Sequence, residues 1–323
     1  MSARASLGNR ALQYIGVFLV AVTINFMLPR LMPGNPLALL AWVDVGMMTP
    51  AERAQVVKEA GLDRPLWEQY ATYIKNVARF DFGYSYRQKR LISDMILERL
   101  PWTLLLAGIA LLLSVVIGVT LGGISAWNRA KAMDVGMLWT MIGLESLPTF
   151  WLGMLLISVV SVRLGWLPSF GIRTPGIPLT GWPWVVDVAR HLVLPVVTLT
   201  IISMPGIYVT MRYSMLGVLG SDFIRTARAK GLTERTVLFR HVVRNAIVPV
   251  ATVLALRMGF AFGGAVVTET VFSFPGIGRL TFEAVSGRDY PVMMACFMVI
   301  TIAVLVSNLA VDLIYPLLDP RTR

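Results

Sequence analysis

The sequence predicts an all-α polytopic membrane protein with six transmembrane helices. Two totals and one pattern carry that prediction. Of 323 residues, 56% are hydrophobic and only 15% are charged, whereas a soluble domain carries about a quarter charged residues. Apolar runs close to the ~20 residues that cross a bilayer recur along the chain. Basic residues collect between those runs and not on one face of a soluble fold. The net charge of +11 therefore argues for a membrane protein and against a nucleic-acid partner.

The predicted spans are Ala11–Leu28, Thr103–Ala126, Val135–Val162, Leu192–Met211, Ala246–Thr268 and Val292–Val311. The first is the shortest and carries Asn25 in its apolar face. Arg4 and Arg10 precede it without a small-residue cleavage site, so it reads as a retained span and not as a secretory leader. The second runs without a charge. Pro148, Pro195, Pro205 and Pro249 fall within or at the ends of spans, where neighbouring helices can satisfy the freed carbonyls. Cys296 sits in an apolar run and reads as packing. With one cysteine and two distant histidines, His191 and His241, no metal site is expected.

The connecting segments set an orientation. Arg4 and Arg10, then Arg129 and Lys131, then the basic stretch after the fourth span, and finally Arg321 and Arg323 all fall on one side if six spans are right. That excess of cations predicts both termini in the cytoplasm. The stretch 33–98 is too long for a turn and balances acids against bases. Within it, "TPAERAQVVKEAGL" offers Thr49 as an N-cap and Pro50 at the first helical position, so short surface helices are expected on the outer side. The 165–190 loop is rich in Pro and Gly, and Trp166, Trp182 and Trp184 suit a membrane–water interface.

The segment 212–245 is too regular for a passive connector. In "FIRTARAKGLTERTVLFRHVVRNA", Phe223, Ile224 and Ala227 share a helical face. Gly231 breaks the pattern as a glycine past a helix end does. Thr233 caps a second helix, with Glu234 favourable at its positive end, and Leu238, Val242 and Ala246 give that helix an apolar side. The residues alone leave two readings open: a topology-setting loop lying on anionic lipid, or a docking element for a cytosolic protein.

"RTARAKGL" followed by "HVVRNAIVP" resembles the cytoplasmic "EAA" loop of ABC-importer permeases, specifically the dipeptide/oligopeptide/nickel branch. Ala227 and Gly231 match the loop pattern; Arg225 and Thr226 stand where the wider pattern has Glu and Ala, and Val243-Arg244 replaces its later Leu-Pro. The resemblance extends through "GLDRPLWEQYATYIKNVARFDFGYSY", "ERLPWTLLLA", "SLPTFWLGMLL", "LGWLPSFG", "TETVFSFPGIGRL", "RDYPV" and "NLAVDLIYPLLDPRTR". It implies a type I importer permease fold forming one domain over 1–323, with an extended outer segment between helices 1 and 2. It implies a bacterial inner-membrane subunit of a peptide importer, without chemistry of its own. Its partners would be a second, similar permease, two cytosolic ATPases carrying ATP and magnesium, and an external substrate-binding protein. Arg225, Thr226, Ala227, Arg228, Gly231, Leu232, Thr233 and Glu234 would form the coupling helix and its turn. No GxxxxGK followed by Ser or Thr occurs, so no catalytic residue and no cofactor is assigned to this chain.

Two charges fall within predicted spans, Glu145 and Arg257. At about 2.5–3.5 kcal/mol each at a span centre, they need partners. They read as a pair or as the lining of a hydrated path that receives a zwitterionic peptide, or else as ion pairs with the sister subunit or as sites nearer the membrane interface. Glu269, which ends the fifth span, and Phe272, Pro275 and Gly276 form a tight loop that reads as an outer gate or docking surface, or as plain turn structure. Nickel chelates, glutathione or sugars are alternative cargoes for the same architecture. An ion-coupled secondary transporter would explain Glu145 and Arg257 but not the basic loop, and no inverted repeat is evident. A membrane scaffold that transports nothing is the third class.

Overall fold

The computed structural model describes residues 3–31, 49, 51, 55, 58, 63–85 and 87–318, with side chains at all of these but 3–11, 29, 255–264 and 310–318. In chain order the elements are α1 (Ala3–Leu31), α2 (Leu66–Ala78), a small antiparallel hairpin of β1 (Tyr84–Ser85) and β2 (Arg90–Leu91), α3 (Ile92–Trp127), α4 (Ala132–Glu145) and α5 (Thr149–Leu156). After α5 the chain continues as a π-helix over Ile157–Arg163. Then come α6 (Trp182–Leu219), α7 (Asp222–Ala229), α8 (Glu234–Thr236), a second π-helix over Val237–Val243, α9 (Arg244–Val271), α10 (Ile277–Ser286) and α11 (Tyr290–Leu318). The capped helix expected at Thr49–Pro50 lies, apart from isolated positions, outside the described residues.

Helix runs unbroken through five of the predicted spans and is interrupted at 146–148 in the third. Among the described residues, four helices are long and apolar enough to cross a membrane: Ile92–Trp127, Trp182–Leu219, Glu234–Leu254 and Tyr290–Leu309. The pair Ala132–Glu145 and Thr149–Arg163 makes a fifth if it counts as one broken span, and α1 contributes the shorter apolar stretch Leu12–Leu28. The helix α3 has 36 residues; at about 1.5 Å per residue it is roughly 54 Å long. That exceeds a bilayer core of about 30 Å, so its polar first turns extend past the apolar part.

The third predicted span is not one straight helix. It bends by 98° between α4 and α5. Proline is the cause: Pro148 disfavours helical geometry at Leu147, and Pro148 itself is extended at φ −64°, ψ 133° before α5 restarts. Pro195 and Pro205, by contrast, sit inside α6 without ending it.

The chain divides into two compact units, 1–103 with 275–305, and 104–274 with 306–323. In the first, Ile92, Met95 and Ile96 pack with Ile277, Leu280, Tyr290 and Val292. A second cluster seats α2 on α1 through Val22, Val77 and Met298. Polar contacts fix the register of α2: Thr23 Oγ1 to Tyr70 Oη at 2.6 Å, Asn25 Nδ2 donating to Tyr73 Oη at 2.9 Å, and Arg30 donating to Gln69 Oε1 at 2.7 Å. Asn25 also donates to the Met294 carbonyl at 2.7 Å, so the polar residue that weakens the first span ties α1 to α11.

In the second unit, α3 and α6 cross at glycines. A Cβ on Gly122 would stand 2.6 Å from the Tyr208 carbonyl oxygen, and one on Gly118 would stand 3.0 Å from Ile207. Close approach of backbones at small residues is how apolar helices associate where lipid removes the hydrophobic drive between them. Gly153 plays the same part where α5 meets α9, facing Val271 and Phe272 at 3.1 and 3.2 Å.

Candidate functional site: a basic helical hairpin

The segment 221–246 folds as a helix, a glycine turn and a second helix. Asp222 occupies the first turn of α7 and Arg228 the last, the arrangement the helix dipole favours. The Gly231 N–H donates to the Arg228 carbonyl at 2.9 Å and the Leu232 N–H to the Ala227 carbonyl at 3.4 Å. With Gly231 at φ +76°, this pair of bonds is a Schellman motif, which satisfies carbonyls left open at the helix end. Thr233 then caps α8, its hydroxyl accepting from the Thr236 N–H. Across the turn, the Arg228 guanidinium grips Glu234 with two bonds, Nε–Oε1 at 2.9 Å and a second nitrogen to Oε2 at 3.1 Å. The turn is therefore held by backbone, cap and ion pair together.

The hairpin has a buried side and a displayed side. Ile224 and Ala227 are buried against Val237, Val242, Ala246 and Val250, with Met211 and Met215 of α6 and Ala126 of α3. Ser214 Oγ donates to the Ala246 carbonyl at 2.8 Å and pins α9 to α6. Arg225, Thr226, Lys230, Arg235, Arg240 and Arg244 are exposed. Phe223 departs from expectation: it is 47% exposed instead of sharing the buried face. Ile224 and Ala227 already fill the contact with the layer beneath, and Phe223, one position earlier, is rotated about 100° away. Phe223, Leu232 and Phe239 thus stand as exposed apolar groups among exposed cations. Exposed apolar groups among charges mark an interaction surface, for a protein or for a membrane.

Arg212 is not the free loop cation that the charge count suggests. It is buried, and it donates through Nε to Asp134 Oδ1 at 2.7 Å and through a terminal nitrogen to Oδ2 at 2.8 Å. Asp134 also accepts from Ser125 Oγ at 2.5 Å and from the Ala130 N–H at 3.0 Å, while Ser125 bonds Tyr208 Oη at 2.6 Å. This network joins α3, α4 and α6 at residues next in sequence to Ala126 and Met211, on which the hairpin packs. The sequence held a faint signal for it: an isolated acid at the head of one apolar run and an isolated base at the tail of another.

The other candidates lie outside this hairpin in the sequence, and the described residues give their surroundings one by one. Glu145 is exposed at the α4–α5 bend, with no hydrogen-bond or ion-pair partner among the described residues. The side chain of Arg257 lies outside the described residues. Glu269 and Phe272 are buried, and the Phe274 N–H donates to the Glu269 carbonyl at 2.7 Å to close the turn after α9. The Phe272 carbonyl accepts from the Gly171 N–H at 2.9 Å, tying the loop before α6 to that turn. Pro275 is half-buried, and Gly276 caps α10 at φ −102°. Cys296 is fully buried, as a packing residue is. His191 bonds the Asp187 carbonyl within α6 and shares no site with His241.

Comparisons with known proteins agree with this architecture. Residues 118–323 match the family described as binding-protein-dependent transport system inner membrane component, and residues 6–107 match its N-terminal companion. The oligopeptide transport system permease protein AppB of Bacillus subtilis is 38% identical over 97% of this chain and 97% of its own length. The dipeptide transport system permease protein DppB of Escherichia coli K12 is 35% identical over 96% of each chain. The crystal structure of an amino acid ABC transporter with histidines covers 69% of this chain and 94% of its own at a TM-score of 0.52 and 15% identity, a likeness of fold alone. With a basic helical hairpin set between membrane helices and with family matches along nearly its whole length, this chain belongs to the binding-protein-dependent transport system inner-membrane components.

Proposed function

We propose that this chain is a permease subunit of an ATP-driven importer of di- and oligopeptides, forming half of the translocation pathway. The observation that carries the reading is the hairpin: a turn locked by a Schellman motif, a threonine cap and the Arg228–Glu234 pair, displaying cations and apolar groups on one side and packed on the other. The names of the similar proteins AppB and DppB supply the cargo class.

In this reading the chain crosses the membrane six times with both termini in the cytoplasm, and 33–98 lies outside. A second, similar permease completes the pathway, and an external binding protein delivers the peptide. Two cytosolic ATPases bind ATP and magnesium, and α7 seats in a groove on one of them. Closure of the ATPase pair moves α7 as a rigid body, and the contacts beneath it carry that motion to α3, α6 and α9. A lever works only if it is stiffer than what it moves. Such a change needs contacts that differ between the inward and outward states. Glu145 and Arg257 line a hydrated path, and the 269–276 turn lies at its outer mouth.

The test is coupling. Ala227→Asp places a charge on the buried face of α7, and Gly231→Pro forces φ from +76° to about −65°. Each is expected to leave the chain inserted and assembled while ATP hydrolysis no longer drives peptide uptake in vesicles. Tight coupling in both variants overturns the lever. Arg257→Gln, with assembly intact, is expected to lower uptake; wild-type uptake removes Arg257 from the path.

A further inference from the structure

Beside the hairpin, two recesses share one tryptophan in their walls. The first encloses about 300 Å³ between α3 and the second π-helix, floored by Met211 and Met215 and walled by Val119, Ile124 and Phe239. That is the low end of the roughly 300–1,000 Å³ of ligand pockets. Ile124 and Phe239 are 40% and 63% exposed, so the recess opens at the chain's surface. The second encloses about 340 Å³ and is lined by Arg129, Arg228, Leu216 and the Leu219–Gly220 corner. Trp127 is a wall of both. One chamber is apolar; its neighbour holds two arginines and no acid.

We propose that the two recesses together hold one anionic phospholipid. An acyl chain fills the apolar chamber, and the phosphate sits between Arg129 and Arg228. Three observations select this occupant. The site lies where apolar spans give way to a basic rim, the depth at which a headgroup meets its tail, and Trp127 stands at the junction as interfacial tryptophans do. Arg129 has no acidic partner among the described residues, and Arg228 turns Nε and one terminal nitrogen to Glu234, leaving the other terminal nitrogen for a phosphate oxygen. No carboxylate lines the charged chamber to meet the ammonium of a zwitterionic headgroup. Arg129 follows α3 and Arg228 belongs to α7, so the lipid stitches the hairpin to the bundle and the bilayer's charge sets how firmly the hairpin is held. This holds whether or not α7 meets an ATPase.

The purified full-length chain, stripped of lipid, is incubated with phosphatidylglycerol or with phosphatidylcholine of the same acyl chains. Native mass spectrometry then counts the lipid retained. Phosphatidylglycerol is expected to be retained in preference. Arg129→Gln is expected to weaken that retention roughly five-fold, the factor that corresponds to about 1 kcal/mol per basic residue at an anionic surface. Thr120→Trp, which fills the apolar chamber from its exposed wall, is expected to weaken both lipids. Equal retention of the two lipids by the wild type, or no effect of Arg129→Gln, overturns the proposal. Displacement of the lipid by inorganic phosphate overturns it too, by reducing the site to a phosphate pocket. A photoreactive residue placed at position 120 is expected to crosslink to lipid in membranes; an adduct with a second polypeptide gives the groove to another chain and overturns the lipid.

Discussion

At the scale of the residue, buried polar groups decide the packing. Arg212 and Asp134 form a two-bond ion pair with little exposure. Removing one partner of such a pair leaves an uncompensated charge and costs about 3–5 kcal/mol, whereas replacing both with apolar groups is far milder. Arg212→Met and Asp134→Leu are each therefore expected to lower thermal stability in detergent sharply, and the two together to recover most of the loss. Additive losses in the two single variants and the double would show that the pair is not coupled. Tyr73, held under Asn25 on α2, offers a titration. Burial pushes its phenol up to about 12, above an unfolded value of about 10. Because the folded value is the higher, its contribution is complete below about pH 10 and is lost as pH rises towards 12. Unfolding followed between those limits is expected to show this loss in the wild type and not in Tyr73→Phe. The pairings themselves were not legible in the sequence. Asn25 reads there as a blemish in a span, and Arg212 as one more loop cation, because nothing near either residue names the partner.

At the scale of the element, helices are shaped by where they must approach one another. Gly122 sits so close to the Tyr208 carbonyl that a methyl group has backbone in its way, whereas a Cβ on Gly123 meets only the Met215 sulfur at 3.4 Å. Gly122→Ala is expected to destabilise by about 1–3 kcal/mol through overpacking. Gly123→Ala is expected to be neutral or slightly stabilising, because alanine is the better helix former. Equal melting temperatures for the two variants would deny the close crossing of α3 and α6. The hairpin is the element most legible in advance: Gly231 and Thr233 carry local conformational signals, and the Schellman turn and the cap stand where they point. The bend at Pro148 was only half legible. Proline marks a break, but whether the helix continues through it, as α6 does at Pro195 and Pro205, depends on the neighbours that receive it.

At the scale of the whole molecule, the proposed mechanism requires a sidedness that is open to direct measurement. The only cysteine, Cys296, is fully buried, so introduced thiols can be read against a silent background. Ala229→Cys, on the hairpin, is expected to react with an impermeant maleimide only in inside-out vesicles. Gly176→Cys, in the loop before α6, is expected to react only in right-side-out cells. Labelling of Ala229→Cys from outside would reverse the orientation and remove the ATPase from the proposed mechanism.

The sequence by itself determined the helical membrane class, the place of each apolar helix, and the turn, cap and polarity of the basic hairpin. Those properties reside in windows of neighbouring residues: hydropathy in about twenty, a cap in four, a glycine turn in one. Only the tertiary structure decided that Asp134 answers Arg212, that Asn25 reaches Met294, that Phe223 faces out, and that two recesses share Trp127. Such partners lie far apart along the chain and are set by where helices cross and how they are rotated. In the low dielectric of a packed bundle an unpaired polar group is costly wherever it sits, but its sequence alone does not say which neighbour will satisfy it.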